Sequence, residues 1–212
     1  PIDDEWLQAR ARWEVAVEAT QVKGDSETDP AVSPDDPFAD FETYPHYISA
    51  KPIAWDPGAG DFVRSALLRG LQMEQRHGVN PYRFGVIGST DSHTGLATAE
   101  ENNFHGKFLT DSAFAGTVRT VSNIENFGWA MSASGLAAVW AEENSREAIF
   151  AAFKRREIYA TTGPRIAVRV YAGSDYTAGD ESSTDIDAIS ARGVPMGGEL
   201  RGLLTAPTFY IQ

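Results

Sequence analysis

The chain has 212 residues, 42% hydrophobic and 11% aromatic, enough to bury a full core and too apolar for intrinsic disorder. Its net charge of −12 argues against a phosphate-backbone partner, so no nucleic acid is expected. There is no cysteine, which excludes disulfides and thiolate metal sites, and no apolar run approaches the roughly 20 residues of a transmembrane segment.

The chain opens on Pro1 without a signal peptide, and Thr208 to Gln212 reads as a strand still running at the last residue. Both ends are therefore expected to be cut from a longer protein, which leaves the compartment unassigned. Residues 5–12 read as the end of a helix or an irregular lead-in. A short strand is predicted over 13–22, with Val15, Val17, Ala19 and Gln21 on one face, and Gly24 ends it. From Asp25 to Gly60 no periodicity survives. A loop of that length is expected to be functional or disordered, and Phe38, Phe41, Tyr44 and Tyr47 predict that it packs down.

Asp61 is the expected N-cap of a helix running to about Arg76, with Phe62, Ala66, Leu67, Leu71 and Met73 near its inner face. Gly78 closes it and Pro81 blocks continuation. The apolar run 84–89, FGVIGS, fits a parallel strand buried on both faces and stops at the polar loop TDSHTG. Residues 100–128 are irregular. A second helix is predicted over 144–157, capped by Asn144 with Glu147 three residues on. Ile149, Ala152 and Phe153 face inward, and Lys154 to Arg156 suit the negative end of its dipole. Alternation over 158–173 predicts half-buried β structure, 174–190 an acidic surface loop, and 193–200 and 206–212 turn and strand. A soft boundary is placed near residue 160, with α/β structure over 1–160 and a β-rich segment over 161–212.

The sharpest local feature is Asp91-Ser92-His93. Side chains two apart on an extended backbone leave from the same side, roughly 6.5–7 Å apart, so they can converge on one cation or on two neighbouring ones. Without cysteine, the metals open to such a site are those that accept oxygen and imidazole: Mn, Mg, Ca, Fe or a sulfur-free Zn. A divalent ion there would lower the pKa of bound water for hydrolysis. A helix-capping Asp beside a surface His is the structural alternative for so short a triplet.

The string FGVIGSTDSHTG closely resembles the last metal-binding motif of the polymerase-and-histidinol-phosphatase (PHP) superfamily, whose strand ends in a G-S-D-x-H type sequence. VEATQVKGDSETDP, SPDDPFADFE, GLAAVWAEENSREAIFAAFKRREIYATTGPRI and GVPMGGEL are similar, in that order, to one uncharacterised branch of it. The resemblance covers nearly the whole chain. It implies the C-terminal part of a distorted (β/α)7 barrel followed by a β-rich segment. It also implies two or three divalent metal ions (Mn, Zn, Fe or Mg) and hydrolysis of a small-molecule phosphoester, with Asp91 and His93 as the last two ligands. The superfamily's earlier H-x-H motif has no counterpart here. Where S-E-T-H-P is expected the chain has SETDP, so Asp29 stands for a histidine, a departure that leaves an oxygen available as a ligand and the role of this position open.

Other candidates are Glu27, a ligand or base just past a strand end; Lys23, which could meet a substrate phosphate; and His105 and Lys107, in the loop after the ligand pair. Arg165 could clamp an anion or pair with one of the many carboxylates. His46 and His77 read as structural. Runner-up functions are hydrolysis of a C–N or C–O bond on the same barrel, a binding or assembly protein without chemistry, and a calcium-stabilised domain. A homo-oligomer is compatible with all of them. No GxxxxGK[ST], HExxH, GxSxG or EF-hand spacing occurs.

Overall fold

Asp3 accepts the Trp6 backbone N–H at 2.9 Å and so caps α1 (Asp4–Trp13), which buries Leu7 completely. The structure, a computed structural model, describes residues 3–44, 47, 53, 56–95, 100, 102, 107, 131 and 135–212. Within it the chain forms two units, one of Pro1–Ala138 with Tyr159–Arg165, the other of Val139–Ile158 with Ile166–Gln212.

In the first unit β1 (Ala16–Gln21) lies between β2 (Gly24–Asp25), antiparallel to it, and β3 (Gly85–Gly88), parallel to it. Parallel pairing needs a crossover, and α2 (Val63–His77) supplies the helix. The register jumps between Glu18 and Thr20, a bulge that buries both Ala19 and Thr20. The strict alternation expected over 13–22 is lost there, and the strand is shorter than predicted. β3 is buried at its two glycines and half-buried between them, rather than enclosed throughout.

α2 departs from expectation at both its cap and its face. Phe62, not Asp61, is the N-cap, and it makes no side-chain cap bond; Asp61 instead accepts the Gly58 N–H at 2.8 Å. The first helical N–H groups are satisfied by the loop, Val63 donating to the Ser26 carbonyl and Arg64 to that of Glu27. The buried positions are Val63 and Gly70, while Leu67, Leu68 and Leu71 are exposed. Gly70 sets this rotation: a Cβ there would lie 2.2 Å from Asn80 Oδ1 and 3.1 Å from Tyr82 Cβ, so the helix sits closer than any larger residue allows. In the preceding loop Ala39 and Tyr44 are buried, but Phe38 and Phe41 are 79% and 48% exposed, so its aromatics pack down only in part.

β4 (Leu136–Val139) and β5 (Ile158–Thr161) form a two-stranded sheet. In the second unit Ser145, rather than Asn144, caps α3 (Arg146–Arg155) by accepting the Ala148 N–H. Ala152 is fully buried on its inner face. Arg156 turns out of the helix at φ 62° and donates to the Gly197 carbonyl. The continuous alternation predicted over 158–173 breaks at Pro164, which has no N–H for a ladder, and Ile166 is exposed.

A third sheet runs β7 (Gly193–Pro195), β6 (Val170–Gly173), β8 (Thr208–Ile211), all antiparallel. The predicted loop 174–190 instead holds a 3₁₀ turn, Ala178–Ser182, with a Thr177–Asp180 capping box, and α4 (Ile186–Ser190), capped by Asp185. These turns deliver Ile189 to a core with Tyr176 and Tyr210, where the Tyr176 hydroxyl donates to the Ile189 carbonyl at 2.8 Å. The architecture is mixed α/β, and the described strands form small open sheets rather than a closed barrel. Among the described residues no helix is long and apolar enough to cross a membrane.

Candidate functional site

At the C-terminal end of β3 the backbone turns sharply: Asp91 has φ 46°, a left-handed conformation that aspartate tolerates better than most residues. The turn presents its carboxylate to two ammonium groups. Lys107 Nζ is 2.5 Å from Asp91 Oδ2, and Lys23, from the turn that ends β1, contacts the same oxygen. Both lysine side chains are largely buried, at 13% and 16% exposure. Burial first, then the neighbouring Lys107, pushes the Lys23 amine down to about 7, with Glu18 pulling it upward. In a chain of net charge −12 this is a place where two lysine amines converge on one carboxylate.

His93 joins the group through its backbone and its ring. Its N–H donates to the Lys107 carbonyl at 2.7 Å, stitching the two loop segments together. Its Nδ1 lies 2.9 Å from the Asp91 carbonyl. A carbonyl can only accept, so Nδ1 carries a proton at this contact. Nδ1 is 4.0 Å from Asp91 Oδ1, beyond hydrogen bonding, so the carbonyl orients the ring. Glu18 and Ser89 hydrogen-bond across the β1–β3 pair, and sequence reading missed both.

The donor chemistry at Asp91 and His93 fits a divalent cation: a hard oxygen beside an imidazole whose ring is oriented by a carbonyl. Among the described residues no group of three or more His, Asp or Glu side chains is placed to hold a metal.

The other predicted residues lie elsewhere. Glu27 lines a separate cleft of about 420 Å³ with Asp25, Arg64, Leu67 and Val86. Its Oε1 accepts from Arg64 Nε at 2.8 Å, and Arg64 also reaches Asp36 at 2.6 Å. Burial pushes the Asp25 carboxyl in that cleft up to about 6, with the Glu27 charge adding to the rise. Asp29 is buried and spends its carboxylate on the Ala31 N–H at 2.8 Å, closing a local turn. Arg165 is exposed on the irregular stretch after β5. His105 and His46 lie outside the described residues. The convergence of Lys23 and Lys107 had no sequence signal beyond a lysine at a strand end.

A family model described as "Protein of unknown function (DUF3604)" matches residues 1–212. No curated protein and no solved structure matches the chain.

Proposed function

The chain belongs to the DUF3604 family of proteins of unknown function, and from that premise we propose that it is a metal-dependent hydrolase acting on a small phosphoester. One observation carries the reading: Asp91, with His93 oriented beside it, meets two buried lysines at the C-terminal tip of a parallel strand. That is where α/β folds collect their chemistry. The resemblance of FGVIGSTDSHTG to the last PHP metal motif supports it, and β1 and β3 would then be neighbouring strands of a PHP-type barrel.

Asp91 Oδ1 and His93 Nε2 would hold the ion (Mn, Zn, Fe or Mg), with its remaining ligands outside the described residues. A divalent ion bound there supplies a coordinated water of lowered pKa and polarises a phosphoryl oxygen. Lys23 and Lys107 hold the anionic group and offset charge that develops on it. Their buried stems fix the ammoniums, so little reorganisation is needed when substrate enters. Glu27 and Arg165 have no part in this scheme.

The test combines elemental analysis with release of phosphate from p-nitrophenyl phosphate, beside a panel of amides and lactones. Asp91→Ala is expected to lose bound metal and about 100-fold or more of the turnover, beyond the 10–100-fold typical of supporting residues. Full metal occupancy in that variant refutes the ligand assignment. Turnover of amides or lactones without phosphate release would move the reading to C–N or C–O hydrolysis.

A further inference from the structure

The second unit carries a cavity of its own, of about 340 Å³, within the size range of small-molecule sites. Val170, Tyr171, Pro195 and Met196 give it apolar lining, and two arginines reach it. They are in different states. Arg155 is matched to Glu157 in a two-point ion pair, Nε to Oε1 at 2.8 Å and NH2 to Oε2 at 3.2 Å. Arg169 instead lies over the Trp140 ring, its guanidinium carbon 4.0 Å from the centroid, and among the described residues no carboxylate is within ion-pair distance of it.

Both members of this stack are anchored. The Trp140 indole N–H donates to the Val168 carbonyl at 2.8 Å. The Arg169 backbone exchanges two hydrogen bonds with Gln212, at 2.9 and 3.0 Å. Stacking occupies the face of a guanidinium and leaves its in-plane N–H fork for another group. A planar carboxylate matches that fork in two-point geometry. A dianion is disfavoured, because the same cavity is lined by the Glu142 carboxylate and Arg155 is already neutralised.

We propose that this cavity binds a small monocarboxylate with an apolar body, the carboxylate on Arg169 and the body against Tyr171 and Met196. It takes no part in the hydrolytic reading and stands or falls without it.

The 212-residue chain, labelled with ¹⁵N, is titrated with 4-phenylbutyrate and followed by calorimetry and by the Trp140 indole N–H resonance, assigned through Trp140→Phe. Saturable binding that shifts this resonance is expected, with 4-phenylbutyramide at least about tenfold weaker, as loss of a charge-assisted hydrogen bond requires. Arg169→Met is expected to weaken binding about tenfold or more, and Arg169→Lys to restore part of it. Absence of saturation, equal binding of acid and amide, or undiminished binding by a folded Arg169→Met chain overturns the proposal. Should Arg169→Met fail to fold, the acid–amide comparison on the unaltered chain decides alone.

Discussion

Asp25 is a carboxylate held where water reaches it poorly, and its titration has a definite sign. Its folded value of about 6 lies above the ordinary 3.8, so between those values the folded chain binds the proton more tightly than the unfolded chain does. Stability therefore falls as pH rises from about 4 to about 6. Asp25→Asn keeps an oxygen for the Glu27 N–H, at 2.8 Å, and removes the charge. It should raise the thermal midpoint at pH 8 by the equivalent of about 1 kcal/mol, discounted for partial solvent access, and change it little at pH 4. An equal gain at both pH values would deny the burial penalty. Gly135 is a second residue-scale case: a Cβ there would lie 2.3 Å from the Thr161 carbonyl and 2.5 Å from a Thr20 methyl. Gly135→Ala should cost about 1–3 kcal/mol in chemical denaturation, as overpacking does. Asp91 and His93 were legible in the sequence because the triplet is local and follows an apolar run. Lys23 and Lys107 were each named as candidates, but their meeting on Asp91 was not legible, since it depends on a loop path that no periodicity encodes. Asp29 was ambiguous for the opposite reason: a carboxylate suits a turn as well as a metal, and in the structure it accepts the Ala31 N–H of a local turn.

At the scale of elements, α2 and α3 were read correctly in place and wrongly in detail, and α4 was missed. Ser145 rather than Asn144 caps α3, because its hydroxyl reaches the N–H three residues on. Ser145→Ala is expected to cost about 1 kcal/mol and Asn144→Ala less than half of that, measured by urea denaturation of both variants. The inner face of α2 was misjudged because apolar size was taken as the guide, whereas the closest approach is made at Gly70, the smallest residue. Residues 174–190 looked like a loop by composition, yet Thr177, Asp180 and Asp185 are cap residues whose spacing marks two short helical turns. Alternation ran on past Pro164, yet residues 162–169 make no strand and pairing resumes only at β6, since a missing donor outweighs side-chain pattern.

For the whole molecule, mixed α/β structure was evident from a helix leading into an apolar strand, whereas pairings across long separations were beyond reach. Each unit has its own buried side chains, Leu7 at 0% exposure in the first and Ile189 at 1% in the second. Ile189→Ala should cost about 2–5 kcal/mol, read from the unfolding free energy. The net charge of −12 makes the folded chain repel itself, so adding salt should raise its thermal midpoint. A midpoint that falls with salt would mean the ion pairs outweigh the net charge.

The second unit is assembled from two stretches, Val139–Ile158 and Ile166–Gln212, with the segment between them belonging to the first. A stop codon after Arg165 would therefore not trim away a free-standing module. It would take the Val168 acceptor from the Trp140 indole and the Gly197 acceptor from Arg156, leaving α3 without the partners that fix its end. Expression trials that dissect this protein will do better with internal fusions, joining 139–158 to 166–212 through a short linker, than with nested deletions from the C-terminus.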